Sequence, residues 1–370
     1  MTMHGFPARA AGWVFAVPFL MVHTVTGAAA HVRRKAAKRA KTIEEDRMRR
    51  YAISMLLAWI CFAAAGPGTL RAETYPSRPV TIIVPFAAGG PLDLIARAVG
   101  DKLSAELGQP FIVENKAGAS GNLGTQLAAR AKPDGYTLLV VLSSTLTANP
   151  ALYKNLAFVP ANDFRPLSLV GQASQMLVVT PSMPVNSLSD FVAYAKAHPI
   201  TYAHAGFGSP GHLTMEYFAL KAGFSATGVS YRGNAPLVTD LLGGQVQAGF
   251  VSTAGVIQHV LAGNLKGLAI SAQKRTELAP DIPTASESNY PNFAVTTYFM
   301  MMAPEGVPDA IAALLENKVR EALNAPDLRA KLRAQDITPV GSSAKEAEAL
   351  LASETRLWAG VVEKANMQVQ

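Results

Sequence analysis

The 370-residue sequence predicts an α/β fold built on two sheets rather than one. Three observations carry this. From Pro79 onward, short β-branched runs alternate with apolar segments of helical period, the rhythm of a parallel sheet with helical crossovers. Some ten strands would make a single open sheet unusually wide. No period of roughly 20–50 residues repeats, which excludes a solenoid.

Val80–Val84 reads as a buried strand. Pro91–Leu107 reads as a helix with Leu94, Ile95, Ala98, Val99 and Leu103 on one face and Gly108 as its stop. Phe111–Val113 is a second strand, and Asn122–Ala131 a short helix ended by the turn Pro133-Asp134-Gly135. Tyr136–Leu142 is a third strand. Met176–Thr180 is strand-like, and Ser187–Ala197 is a helix opened by Ser187 with Asp190 three residues on. Further strands are expected at Ile200–Ala205, Gly228–Tyr231, Val246–Val251 and Leu265–Ser271, with helices between. A strand at Thr296–Ala303 and helices at Pro308–Asn324 and Ser343–Asn366 complete the chain. The capping box Ser343-Ala344-Lys345-Glu346 opens the last. Extended segments near 164–179 and 296–303 are the candidate crossings. They give one lobe from 73–174 plus 297–370 and a second from 175–296.

The formal charge of +7 is concentrated at the N-terminus. Residues 1–72 hold 11 of the 33 basic and 3 of the 26 acidic residues, so 73–370, with 22 and 23, carries a net −1. A neutral body without a basic stripe has little attraction for a phosphate backbone, and no nucleic-acid partner is expected. Met48-Arg49-Arg50, the apolar stretch Ala52–Ala65 and the breaker Gly66-Pro67-Gly68 read as a signal peptide over 48–72. Its cut falls after Ala72, at Glu73, and implies export to the periplasm. Residues 1–47 hold a second apolar run and a basic run, and read as an upstream extension before a start at Met48. The only cysteine, Cys61, lies in the signal, so the mature part has no disulfide, thiolate ligand or cysteine nucleophile.

Four motifs sit between a strand or turn and a helix. In Pro85-Phe86-Ala87-Ala88-Gly89-Gly90-Pro91-Leu92-Asp93 the glycines permit close backbone approach and Pro91 suits the first helical position. The free N–H groups of such a helix start favour an anion. Asp93 either complements the helix dipole or contacts a ligand. Gly118-Ala119-Ser120-Gly121-Asn122-Leu123-Gly124 opens the second helix, and its glycines read mainly as close helix–sheet packing. Gly206-Phe207-Gly208-Ser209-Pro210-Gly211-His212 matches G-x-G-x-x-G. No acidic residue follows about 20 positions on, where a ribose would need one. His212 reads first as a structural helix-start residue. Tyr231-Arg232-Gly233-Asn234-Ala235-Pro236 is the fourth turn. Such turns lie at the carboxyl ends of strands, where open α/β sheets bind ligands. The sequence has no G-x-S-x-G, no Walker motif, no H-E-x-x-H and no metal-ligand spacing among its mature histidines. Neither a cofactor nor a catalytic residue is expected. An NADP-linked oxidoreductase using Gly206, Gly208, Gly211 and Arg232 is the alternative. An exported hydrolase using Ser209 and His212 lacks an acid partner.

Several blocks, taken in order, resemble the Bug/TctC family, the periplasmic binding components of tripartite tricarboxylate transporters. They are Tyr75-Pro76-Ser77-Arg78-Pro79, Val84 to Asp93 with Ala96-Arg97, Asn115 to Gly121, and Ala131 to Leu139. Gly208 to Leu213, Tyr231-Arg232-Gly233, Asp240 to Val246 and Ile282-Pro283-Thr284 follow. The resemblance implies a two-lobed, type II Venus-flytrap fold that is not an enzyme. It implies a small carboxylate held by backbone amides, hydroxyls and water, and a membrane permease or a sensor as partner to a monomer. Carried over by position, one lobe would offer Phe86, Ala87, Ala88, Gly89, Gly90 and Asp93, with Ser143 and Ser144. The other would offer Gly208, Ser209, Pro210, Gly211 and His212, with Asn234 and Ala235 beyond. Two departures stand out: Gln247 where the family often has Asp, and Tyr298-Phe299-Met300-Met301 where it often has Trp-x-Gly, a change expected at the cleft wall.

Overall fold

The computed structural model describes residues 34–35, 38–39, 41, 44–56 and 74–367. The chain divides into two units, Met1–Ala72 and Glu73–Gln370. Within the first, 44–56 are helical. The remainder of the expected signal, including Cys61, and most of the expected upstream extension lie outside the described residues. Among the described residues no helix is long and apolar enough to cross a membrane.

The second unit runs β1 (Val80–Val84), α1 (Pro91–Leu107), β2 (Phe111–Asn115), α2 (Asn122–Ala129), β3 (Thr137–Leu142), then three short helices, α3 (Ser143–Thr147), α4 (Asn149–Leu152) and α5 (Pro160–Asp163). β4 (Phe164–Val179), α6 (Leu188–Ala197), β5 (Thr201–His204), α7 (Pro210–Ala222), β6 (Thr227–Ser230), α8 (Asn234–Leu242), β7 (Ala248–Ser252), α9 (Thr253–Leu261) and β8 (Lys266–Ile270) follow. β9 (Thr296–Pro304), α10 (Asp309–Asn324), α11 (Pro326–Arg333), β10 (Ile337–Pro339) and α12 (Ala344–Lys364) close it. Punctuation in the sequence sets several bounds. Pro91 starts α1, and Gly108, in the left-handed region at φ 72°, ends it. Ser187 accepts from Asp190 N, and Ser343 with Glu346 forms the expected capping box. Leu94 is only half-buried; Leu92 and Ala96 are turned inward with Ile95, Ala98, Val99 and Leu103.

The strand order is β2-β1-β3-β9-β4-β7-β5-β6, with β8 and β10 also paired to β4. β1 is parallel to β2 and β3, and β9 lies antiparallel between β3 and β4. The 16-residue β4 serves both halves. Phe164–Ser174 pairs with β9, and Gly171–Ala173 also with β10; Gln175–Val179 pairs with β7 on one side and Met176–Val179 with β8 on the other. The two expected sheets are therefore one hydrogen-bonded path. A crossing made in β conformation keeps its backbone groups in ladders throughout, which is why no polar linker marks it.

One core cluster packs Ile82, Ile95, Leu138 and Phe299 against Leu315 of α10. Another packs Phe191, Tyr202, Phe218, Phe250 and Phe293 on the second half. Burying each such side chain contributes roughly 1.5–3 kcal/mol. α12 takes part in both halves. Its Ala347 joins Leu139, Val141 and Met300, whereas Trp358 and Val361 join the Phe191–Phe293 cluster. The Tyr298–Met301 departure falls in the middle of β9. Phe299, Met300 and Met301 are core residues at 2% exposure or less, so for these three the departure is one of core packing, while Tyr298 is half-buried. Gln247 precedes β7 at the end opposite Ser252; its Oε1 accepts from Thr201 N at 2.7 Å and braces the strand start.

Candidate functional site

Four loops leave the carboxyl ends of β1, β3, β5 and β7, and Ser209, Ser252 and Asn149, each with a buried polar atom left without a partner, lie on or beside them. After β1, Phe86 is half-buried while Ala87, Ala88 and Gly89 are exposed. Gly89 takes φ +84°, a turn that a side chain would strain. Asp93 is committed to holding this loop. One carboxylate oxygen accepts from Gly89 N and Arg97 Nε, both at 3.0 Å, and the other from Asn115 Nδ2 at 2.9 Å. Burial acts to raise its pKa, but the bonds from Arg97, Gly89 and Asn115 outweigh it and hold the carboxyl below its usual range. Of the two readings for Asp93, the geometry favours a brace. Asn115 Nδ2 also donates to Phe86 O.

The second glycine motif does what close packing asks. A Cβ on Gly124 would lie 2.8 Å from Pro85 Cα and Lys116 O, and one on Gly121 would meet the Phe86 ring and Thr145 Oγ1 at 3.0 Å. Between them, Ser120 (φ 53°) turns its hydroxyl outward and donates to Phe207 O at 2.5 Å. Tyr153 OH donates to the same carbonyl at 3.3 Å. The loop after β5 is thus bonded to the loops that follow β2 and β3.

After β3, Ser143 and Ser144 open α3 and are buried at 3% and 7% exposure. After β5, the glycines of the G-x-G-x-x-G match are accounted for by protein. A Cβ on Gly211 would fall 2.1 Å from Phe250 O of β7, and one on Gly208 would lie 2.9 Å from Asn149 Oδ1 and Leu152 Cδ1. The space a pyrophosphate would need against these glycines is filled by β7 and α4. His212 is buried, and its Nδ1 accepts from Gly208 N at 3.1 Å. Burial, and then neighbouring His204 with ring centroids 4.4 Å apart, pushes its pKa down to about 3. A neutral imidazole holding a backbone N–H is a structural helix-start residue.

Ser209 differs from a normal helix cap. It stands at the N-cap of α7 in extended conformation but makes no capping bond, and its Oγ is buried without a partner. Ser252 Oγ at the end of β7, the neighbour of β5, is likewise buried without a partner, as is Asn149 Oδ1. Pro210 shares one small cavity with Ser143 and Ser144. Asn234 and Ala235 open α8, half-buried and exposed; among the described residues no hydrogen bond ties them to the others. Ser120, Asn149, Tyr153 and Ser252 were missed from sequence. Only Ser120 lay inside a glycine motif, and the others have no local signature. Among the described residues no group of His, Cys, Asp or Glu has the arrangement of a metal site. Such a site can hold a small anion by hydroxyls and free backbone N–H groups; it has no paired acid and base.

A family model described as the tripartite tricarboxylate transporter family receptor, TctC, matches residues 95–367. Protein BugT of Bordetella pertussis is 37% identical over 315 residues, 84% of this chain and 97% of BugT. Among solved structures, R. palustris Rpa4515 with adipate is 31% identical with a TM-score of 0.75, covering 80% of this chain and all of that one. MatC (Rpa3494) from Rhodopseudomonas palustris with bound malate is 33% identical with a TM-score of 0.71, over 78% of this chain and 100% of that one. The oxidoreductase alternative has no support among these relatives.

Proposed function

The chain belongs to the tripartite tricarboxylate transporter receptor family of periplasmic solute-binding proteins, and from that premise we propose that it captures a small dicarboxylate between two lobes and catalyses no reaction. The observation that carries the reading is the pair of buried hydroxyls left without partners, Ser209 Oγ at the start of α7 and Ser252 Oγ at the end of β7. They lie in a region where facing loops are already bonded through Phe207 O. A buried hydroxyl without a partner costs about 1–3 kcal/mol. An anionic oxygen that accepts from it removes that cost.

The ligand would meet the exposed turn Ala87-Ala88, with Gly89 and Gly90 next in the chain, beside Phe86, the hydroxyls of Ser143 and Ser144, and the start of α7 at Ser209–Gly211. Asp93 and His212 position these loops, and Asn234 and Ala235 edge the opening. The lobes divide near Ser174/Gln175 and again near Thr296. Export with a cut near Ala72, delivery to a permease subunit or a sensor, and a monomeric state complete the reading. Adipate and malate, bound in the two structural neighbours, are the first ligands to try. Calorimetry of the chain from Glu73 against mono-, di- and tricarboxylates is expected to give a Kd near micromolar, roughly −8 kcal/mol. The ligand should be recovered unchanged. Binding of none of them removes the reading.

A further inference from the structure

Behind the proposed ligand site lies a carboxyl group that the binding reading does not use. Glu354 is on the buried face of α12 at 7% exposure, and its Oε2 has no hydrogen-bond partner. One turn on, Trp358 is 3% exposed and its indole Nε1 is equally without a partner. Both line a cavity of about 10 Å³, closed by Ser143 and Ser144 of α3, Pro210 and Leu213 of α7, and Thr297 of β9. That is room for about one water molecule and too little for a carboxylic acid, so this is not the ligand pocket. Its walls nevertheless come from both halves of the sheet, and Ser143, Ser144 and Pro210 are also proposed to meet the ligand.

An ionised carboxylate is costly in such a place. Burial pushes the Glu354 carboxyl up to about 7, and the nearby Ser143 hydroxyl and Trp358 indole offset only part of this. No Lys, Arg or His lines the cavity. On the elements packed around it, Tyr298 of β9 is the ionisable group that feels the Glu354 charge. On α7, His212 is bonded to Gly208 N and Glu216 to Tyr202 OH. β4 contributes Arg165, paired with Asp309, and α3 and α4 contribute no ionisable group. The favourable field near Glu354 is the N-terminus of α7, which starts at Pro210. An anion seated on that same helix end would use the same dipole and set a second negative charge across Ser143 from the first.

We propose that Glu354 couples carboxylate capture to proton uptake: an anion held between α3 and α7 puts a proton on the Glu354 carboxyl. The neutral acid then presents an O–H beneath Ser143 in place of a charge that repels the ligand. Glu354 acts through Ser143 and α7 and is a positioning residue. The proposal rests on the carboxylate reading of the cleft.

Uptake of a proton on binding means that affinity rises as pH falls, by at most about tenfold per pH unit for one proton. Malate and adipate are mainly dianions between pH 8 and pH 6, and their own protonation is subtracted by reference to E354Q. The one that binds is expected to bind about three- to tenfold more tightly at pH 6 than at pH 8. At pH 7 its calorimetric enthalpy should change with the ionisation heat of the buffer, corresponding to uptake of a fraction of a proton. Glu354→Gln keeps size and hydrogen bonding but never carries charge; it should bind with buffer-independent heat and an affinity flat in pH. Buffer-independent heat from the wild-type chain, or an unchanged pH dependence in E354Q, overturns the proposal while leaving the carboxylate reading intact. Should E354Q fail to fold, the wild-type calorimetry alone decides. If no carboxylate binds, the reading of the cleft falls and this proposal with it.

Discussion

Replacing Ser209 by alanine separates a ligand group from a helix cap. A serine that caps a helix costs about 0.5–2 kcal/mol when lost. Ser209 occupies the N-cap of α7 yet makes no capping bond, so that loss should not occur. Its Oγ is buried without a partner, and such a hydroxyl is itself a burden of about 1–3 kcal/mol. The ligand-free Ser209→Ala chain is therefore expected to be as stable as the wild type or more so. A gain of 1 kcal/mol raises Tm by about 2–4 °C in a chain of this size class. With ligand, the sign reverses. A hydrogen bond to a charged group contributes about 1.5–3 kcal/mol, so affinity should fall about ten- to a hundredfold. Differential scanning fluorimetry without ligand and calorimetry with it read the two effects apart. A fall of several degrees in the ligand-free Tm, with affinity unchanged, would show that Ser209 is a cap and refute the argument.

Four further substitutions test the geometry, and two more test the buried titrating groups. Gly211→Ala must push α7 off β7, because its Cβ would stand 2.1 Å from Phe250 O; a loss of about 1–3 kcal/mol and weaker binding are expected. Gly360→Ala, in the interior of α12 with nothing within 4 Å, should instead gain about 0.5–1 kcal/mol, and equal Tm shifts in the two variants would contradict this. Ser120→Ala removes a donor to Phe207 O and should weaken binding by about 0.5–1.5 kcal/mol, with Tyr153→Phe adding a smaller loss; unaltered dissociation rates in both would show that the contact plays no part in closure. His212, at about 3 folded against an ordinary 6.5, makes the folded chain refuse a proton that the unfolded chain accepts. Its contribution to stability is lost as pH falls from 6.5 towards 3, with a slope of about 1.4 kcal/mol per pH unit. Glu354, at about 7 against 4.5, acts oppositely, and its contribution is lost as pH rises from 4.5 to 7. Urea unfolding should show His212→Asn gaining on the wild type in acid and Glu354→Gln gaining near neutrality; parallel profiles for all three would refute both assignments.

What could be read from the sequence was what one residue or one period decides. Pro91 and Gly108 bound α1 because one lacks an N–H and the other tolerates the left-handed region. Ser187 and Ser343 announce their helices by side-chain bonds that need only local geometry. β4 was only partly visible. Pro166 and Gly171 interrupt its apolar pattern, and they are accommodated where its register to β9 shifts or the strand passes close beneath Ile95. The short helices α3 and α4 carry no helical period. They are set by hydroxyl-to-backbone bonds such as Thr147 Oγ1 to Ser143 O, at 2.9 Å, and by burial of Leu146 and Leu152. Glu354 and Trp358 sit one turn apart on the inner face of α12. In sequence, that spacing is the same as any other amphipathic pair. Their enclosure without a cation exists only once α3, α7 and β9 have closed around them.

The same limit explains why the glycine motifs gave only part of the local picture. The first was read as close backbone approach at an anion-favouring helix start, the second mainly as helix–sheet packing and the third as a match to G-x-G-x-x-G. Gly211 and Gly208, however, are spent on protein: one lets α7 sit against Phe250 O, the other lets the loop pass Asn149 and Leu152. That packing drives Ser209 inward until its hydroxyl is buried and free of the helix it would otherwise cap. The proposed anion site would need no arginine, because desolvated hydroxyls and a helix end would supply the attraction. It has a consequence for the groups around it. With no cation nearby to balance a second charge, a neighbouring carboxyl is stable mainly as a neutral acid, and Glu354 is placed to be that acid.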